Sequence, residues 1–426
     1  MERMPKASLS LLLKDRRLWL LSLCSFLALL FGRILIPDRL AMPIVKWGGY
    51  WFMLAGFSLF VYFVVRLLRE ESRARGGAFQ LVDKPLVLLC LAALLALTVH
   101  EGPGFRIIMD ELMLLGTSMS MHFDRLALAP MKGNNIQGSF VLMDGIVDKR
   151  PLLFPFLGSL VHDLSGYRPS NLFVLNGVLT GVLLYLVGLL GRLAAGRAGQ
   201  VLAVCLLAGL PLLAQNALGA GFEVLNLVMI VVTLLLALRH LSAPSEDSLA
   251  ALVFSGILLC QTRYESVLFV VPVAALVLIV WLREGRTRLH WAVVASPLLL
   301  VLVLLHLRVF SVNPSSWELS SQPGYTQPFS AGYIPDNLGH ALAFFFAPLH
   351  DQPNNLFFSS LGVLALPFAL IILVRWLRAP APMTPFQTVT LWFYVGLALH
   401  FALMMCYFWG RFDAIIIRRL CLPEHL

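Results

Sequence analysis

Eleven apolar runs, joined by polar connections, occupy most of this chain, and no soluble fold can bury that many. Crossing about 30 Å of hydrocarbon takes roughly twenty apolar residues at a rise of about 1.5 Å each. The runs are Leu18 to Ile36, Val45 to Val65, Pro85 to Val99, Asn171 to Leu190, Val201 to Ala214, Phe222 to Leu238, Leu249 to Leu259, Ser266 to Trp281, Trp291 to Phe310, Phe357 to Val374 and Thr388 to Phe408. Several fall short of the ideal length. Charged residues are 13% of the 426, where soluble proteins carry about a quarter. The expected fold class is therefore an all-α polytopic membrane protein with about eleven transmembrane helices. This excludes a water-soluble enzyme, a disordered regulator and a nucleic-acid binder, because the +9 net charge is accounted for by membrane orientation.

Basic residues fall where alternation puts the cytoplasm. Lys6, Lys14, Arg16 and Arg17 precede the first run, and Arg66, Arg69, Arg73, Arg75 and Lys84 separate the second from the third. Arg192 and Arg197, Arg239, the trio Arg283, Arg286 and Arg288, and the pair Arg375 and Arg378 follow the fourth, sixth, eighth and tenth runs. The positive-inside rule then gives a cytoplasmic N-terminus, and short loops without retrieval or other address motifs lean toward an inner (cytoplasmic) membrane of bacterial type. The first run is long, carries Arg33 and lacks a small-x-small cleavage site, so it reads as an uncleaved helix rather than a signal peptide. Cys24, Cys90, Cys205, Cys260, Cys406 and Cys421 form no C-x-x-C pair and read as small hydrophobes.

Two outer segments are too long to be turns: 101–170 and 311–355. In the first, Glu111 to Met121 and Pro151 to Leu164 are apolar enough for short helices, the latter an amphipathic helix at the interface. The second is rich in Pro, Gly, Ser and aromatics, including Trp317, Tyr325, Tyr333 and Phe344 to Phe346, which suits a flap over a site.

Chemistry-bearing residues collect on that same side. Asp110 and Glu111 precede the apolar Leu112 to Leu115; ionisable groups at such a depth are costly and tend to be functional, although a helix cap and a dipole-complementing acid would also explain them. Lys149 and Arg150 can hold a phosphate through charge-assisted hydrogen bonds, or act as snorkelling anchors. Glu223 follows Gly219-Ala220-Gly221-Phe222 at one outward turn, and Arg263, Tyr264 and Glu265 occupy the next, where Arg263 and Glu265 could simply pair. Arg411, Asp413, Arg418 and Arg419 form a cationic cluster against the positive-inside bias, which an outer anionic ligand would explain.

In order and sidedness, a spanning helix, Asp110-Glu111, a short helix, Lys149-Arg150-Pro151-Leu152, Gly166 and a span beginning near Asn171 resemble the GT-C superfamily of polytopic glycosyltransferases, notably the protein mannosyltransferase and lipid A aminoarabinose transferase branch, grouped as glycosyltransferase family 39. That branch carries an acidic pair and a Lys-Pro-Pro-Leu-like motif in its first outer loop; here Arg150 replaces the first proline. Glu223 falls where a second acid stands in the family, commonly an aspartate. Arg419 to Pro423 resembles the family's Arg-Tyr-x-x-Pro element. The likeness runs from about Pro85 to Pro423, giving residues 85–426 as the catalytic module and 1–84 as two extra helices with a basic loop. The chain stops at Leu426, where relatives commonly continue, as a short variant or a truncated chain would.

The resemblance implies transfer of a sugar from a polyprenyl-phosphate donor to a lipid, glycan or protein acceptor at the extracytoplasmic face, with inversion. Asp110 would be the general base, with Glu111 beside it, and Lys149, Arg150 and Arg419 would take the donor phosphate. Glu223, Arg263 and Glu265 would orient the acceptor. Asp110 and Glu223 could hold a divalent cation such as Mg or Mn, while no His/Cys spacing supports zinc. The alternatives are a non-catalytic scaffold and a flippase of lipid-linked saccharides. A flippase calls for ionisable residues along a path through the bilayer, whereas His306, Arg308 and His400 stand isolated.

Overall fold

The computed structural model describes residues 14–75, 82–311, 326–346 and 356–426. The first two helices, α1 (Arg16–Leu30) and α2 (Asp38–Arg75), are followed by α3 (Lys84–His100) and α4 (Ile108–Phe123). A hairpin of β1 (Ala129–Ile136) and β2 (Ser139–Ile146) leads to α5 (Leu153–Ser165), α6 (Ser170–Ala208), α7 (Pro211–Ala217), α8 (Glu223–Ser242) and α9 (Glu246–Leu259). Then come α10 (Val270–Glu284), α11 (Trp291–Ala295), α12 (Leu300–Ser311), α13 (Ile334–Phe346), α14 (Leu356–Arg378) and α15 (Pro385–Cys406). The chain is helical apart from the hairpin and one isolated bridge, Phe329 to Tyr407, among the described residues.

Among the described residues, eight helices are long and apolar enough to cross a membrane. The difference from eleven runs has local causes. The third run forms the 17-residue α3, and the seventh forms the 14-residue α9, both shorter than a full span. The fourth and fifth share the 39 residues of α6, whose backbone leaves helical geometry at Ala195 and Gly196, the latter with φ +66°. There the helix doubles back. A Cβ on Gly191 would run into the Gly199 carbonyl, and one on Gly188 would stand 3.0 Å from Val204, so the two arms pack antiparallel through glycines. All six cysteines are free.

Helix ends are set by local sequence. Asp83 caps α3 by accepting from the Leu86 amide at 3.2 Å, Ser245 and Ser248 close a capping box on α9, and Gly285 ends α10 in the left-handed region. The basic connections gather at one end of the bundle: Arg17 pairs with Glu246 at 3.0 Å and Arg66 with Asp247 at 2.9 Å. The opposite end carries the first large connection.

In that connection, α4 and α5 appear where the sequence places short helices, and the hairpin between them was not anticipated. Gln137 and Gly138, with φ of +52° and +83°, make its two-residue turn. The hairpin returns the chain so that α4 and α5 run side by side in one direction. Ser118 meets His162 at 3.2 Å near their C-terminal halves, and Asp110 meets Arg150 at their N-terminal ends. The expected amphipathic helix at the interface is instead largely enclosed. Phe154 and Phe156 are completely buried, with Phe156 against Tyr50 and Phe57, and only its C-terminal end is open, where Leu164 is 90% exposed.

In the second large connection, Trp317 and Tyr325 lie outside the described residues. Its described part is anchored: Asn337 donates to the carbonyls of Met405 and Tyr407 at 2.9 and 2.8 Å, and the Tyr333 hydroxyl donates to the Gln327 carbonyl at 3.0 Å.

The reversal in α6 gives a test. Gly191→Leu forces the arms apart, and overpacking of this kind costs about 1–3 kcal/mol. Thermal unfolding in detergent should show a clear drop in Tm, and an unchanged Tm would mean the arms do not meet there.

Candidate functional site

At the end opposite the basic connections, the N-terminal ends of four helical segments converge. Asp110 sits in the first turn of α4, Arg150 enters α5, Glu223 begins α8, and Glu265 begins the 3-10 turn Glu265–Phe269 that leads into α10. The positive ends of helix dipoles favour carboxylates in their first turns. A fifth segment, the C-terminal 3-10 stretch Arg418–His425, brings in Arg419.

Seven of these side chains form one continuous ion-pair chain. Asp148 Oδ1 accepts from Arg150 Nη1 at 2.6 Å, and Arg150 Nη2 donates to Asp110 Oδ1. Asp110 Oδ2 accepts from Arg419 Nη2, and Arg419 Nη1 pairs with Glu223 Oε1 at 2.8 Å. The same Glu223 oxygen accepts from Arg263 Nη1 at 2.9 Å, and Arg263 Nε donates to Glu265 Oε1. Charges alternate from end to end, and each guanidinium lies between two carboxylates. Six of the seven are buried; the Asp110 side chain keeps 20% exposure and is the opening of the chain.

Alternation is what makes the burial tolerable. Taking an ion out of water costs several kcal/mol, and a partner on each side repays most of it. Burial disfavours the Asp110 carboxylate, but Arg419 and Arg150 outweigh that and hold its pKa below the ordinary range. Burial likewise works against the Arg150 cation and is overcome by Asp148 and Asp110, which raise it.

Glu111 has a different role. Its carboxyl is pushed up by burial, partly countered by the amides it accepts from: Arg106 at 2.5 Å and Ala220 at 3.0 Å. It thereby ties the Gly219-Ala220-Gly221 turn to the start of α4. Asn176 of α6 holds the same turn by donating to the carbonyls of Gly219 and Gly221, both at 2.8 Å. A Cβ on Gly221 would collide with Glu223 Oε2, so the second glycine is what lets that carboxylate lie against the backbone.

Of the residues singled out from the sequence, Asp110, Arg150, Glu223, Arg263, Glu265 and Arg419 join the ion-pair chain, and Glu111 supports it. Lys149 is half-buried between Asp148 and Arg150, and the cations on Asp110 are Arg150 and Arg419. Arg263 does pair with Glu265, but also reaches Glu223. Arg411 pairs with Asp336 at 3.1 Å and Asp413 with His340 at 2.8 Å, away from this chain. His306, isolated in sequence, donates to the Asp148 carbonyl at 2.7 Å, and His400 pairs with Glu424 at 2.8 Å. Asp148 was missed, although it directly precedes the Lys149-Arg150 pair. Arg308 is not isolated either: it pairs with Asp38 at 2.6 Å.

Asp110 and Glu223, the pair offered to a divalent cation, do not fit one in this arrangement. Both Asp110 oxygens and Glu223 Oε1 accept from guanidinium groups. Among the described residues no group of three His, Cys, Asp or Glu side chains is placed to hold a metal ion.

Beside the ion-pair chain lies a cavity of about 270 Å³, walled by Arg106, Arg418 and Arg419, with Gln215, Asn216 and Glu101 as its other polar residues. Ile107, Leu212 and Ile415 supply its apolar wall.

No protein-family model matches the chain, and no curated protein is detectably similar to it in sequence.

The depressed Asp110 pKa has a signed consequence. Its stabilising contribution is complete above the ordinary aspartate range and is lost as pH falls through the lower folded-state value. Glu111, raised, contributes in the opposite sense, with stability present at low pH and lost as pH rises through its folded-state value. Asp110→Asn should therefore flatten the acid limb of a Tm-against-pH curve measured from pH 3 to 7, and Glu111→Gln should steepen its net rise. Curves parallel to wild type in both variants would remove these two groups from the balance.

Proposed function

We propose that this protein is a membrane glycosyltransferase that moves a sugar from a polyprenyl-phosphate donor to an acceptor hydroxyl at the extracytoplasmic face. The observation that carries this reading is Asp110, a partly open carboxylate between two arginines, at the end of an apolar bundle remote from its basic connections. With those connections in the cytoplasm, the site faces outward and opens at headgroup level. Nucleotide sugars are not supplied on that side, so a lipid phosphate is the natural carrier. The reading includes a GT-C-like arrangement in which α3, α9 and the two arms of α6 count with the other seven long helices as membrane-embedded elements.

In the displacement, the acceptor oxygen attacks the anomeric carbon from the face opposite the phosphate, while Asp110 receives the hydroxyl proton. The bond from that carbon to the phosphate oxygen breaks, and the electron pair leaves with the lipid phosphate. Arg419 and Arg150, with Lys149 next to them, answer the charge that develops. Arg263, Glu223 and Glu265 hold Arg419 and the acceptor side in place. No step is routed through a metal ion. The self-satisfied ion-pair chain is also what a non-catalytic scaffold would carry, and that second reading is separated from the first by turnover.

Mass spectrometry of the lipid-linked sugar pool should show one polyprenyl-phosphate sugar consumed in membranes carrying the wild type and not in those carrying Asp110→Asn at equal abundance. Identical pools in wild-type, variant and empty membranes supplied with acceptor extracts would favour the scaffold.

A further inference from the structure

The ion-pair chain poses a problem for the transferase reading on which this inference rests. Asp110 cannot accept a proton efficiently while both oxygens are held by guanidinium groups, and Arg419 cannot serve a phosphate while it is shared by Asp110 and Glu223. The solution lies on the other side of Arg419. Arg419, a member of the ion-pair chain, also lines the 270 Å³ cavity, so one residue borders both.

The cavity is chemically suited to a phosphate ester. Arg106, Arg418 and Arg419 surround it against a single acid, Glu101, which already pairs with Arg106 at 3.3 Å. Arginine forks match phosphate oxygens; Gln215 adds a neutral polar residue, and the Asn216 amide donates to the Leu212 carbonyl at 2.8 Å. Leu212, Ile107 and Ile415 make the rest of the wall, and Ile415 is 72% exposed, extending an apolar path outward at the mouth. A charged head with a hydrocarbon tail matches this division better than a free ion does.

We propose that this cavity binds a phosphate ester, and that the bound phosphate draws Arg419 away from Asp110, so that the carboxylate is released only when the anion is present. Arg106 and Arg418 are then phosphate-binding residues. Arg419 is the switch, exchanging one anionic partner for another at nearly constant charge balance. Glu223 keeps its second guanidinium, Arg263, and is not left unpaired when Arg419 moves. The ligand-free site is thus guarded against adventitious proton transfer by its own cations.

The test uses the full chain in nanodiscs, titrated with octyl phosphate, inorganic phosphate and octanol. Octyl phosphate should bind, with affinity lowered at least tenfold in Arg106→Gln and in Arg418→Gln, both partly exposed positions whose Tm should stay near wild type. Octanol should not compete. Inorganic phosphate binding as tightly as octyl phosphate would support the anion site and assign it to the free ion. Unchanged octyl phosphate affinity in both arginine variants would overturn the site. For the exchange, Asp110→Asn leaves Arg419 with Glu223 alone and should tighten octyl phosphate binding several-fold, a gain that should largely vanish in the Arg419→Gln background. A gain that persists undiminished there would overturn the exchange. Binding is read without turnover, so absence of sugar transfer would count against the transferase and leave these outcomes standing.

Discussion

A carboxylate brought into an apolar, water-poor environment must be answered by a cation, and the cation by another carboxylate. That requirement organises this protein's functional end. The chain from Asp148 to Glu265 draws its members from five stretches far apart in sequence, and each is useful only if the others are delivered. Removing one member takes a partner from each of its neighbours, so the desolvation cost those buried groups carry is less fully repaid.

The surrounding architecture serves that delivery. The β1–β2 crossover makes α4 and α5 run in the same direction, so both present their N-terminal ends, and hence Asp110 and Arg150, at one place. The reversal in α6 puts Asn176 within reach of the Gly219–Gly221 turn. Glu111 closes that turn from the other side, accepting two amides with a carboxyl whose burial favours the neutral form. The close approach at Gly221 then sets where Glu223 meets Arg263 and Arg419. Asp110 alone is partly open, and its partner Arg419 lines the arginine-rich cavity.

Much of this was legible in the sequence because hydrophobicity and sidedness are read directly from spacing. Apolar runs located the helices, and the rule that charges in outer turns need a reason picked out Asp110, Arg150, Glu223, Arg263, Glu265 and Arg419 before any geometry was known. Their pairing was not legible, since nothing in one sequence says which arginine faces which acid. Span length also misled: α9 is short and largely covered by neighbouring helices, α3 is a 17-residue helix with only Leu86, Cys90 and Leu97 buried, and Ala195-Gly196 turns the chain without a proline to announce it. The hairpin escaped because Gln137-Gly138 is a weaker turn signal than Asn-Gly. Asp148 was hidden by its basic neighbours. The interfacial helix was misjudged because His162 and Asp163 look solvated in sequence, whereas His162 is buried between Ser118 and Asn171 and Asp163 answers His122 and Arg125.

The central claim is that Asp110 and Arg419 depend on each other in the folded protein. A double-mutant cycle of Asp110→Asn and Arg419→Gln, followed by thermal unfolding in detergent, addresses it most directly. Each single change takes one of two partners from its neighbours, Arg150 and Arg419 in the first case and Asp110 and Glu223 in the second, so each should lower Tm and the double variant should cost less than the sum. Additive losses would show that the two side chains do not meet, and the account of the site built on them would fail.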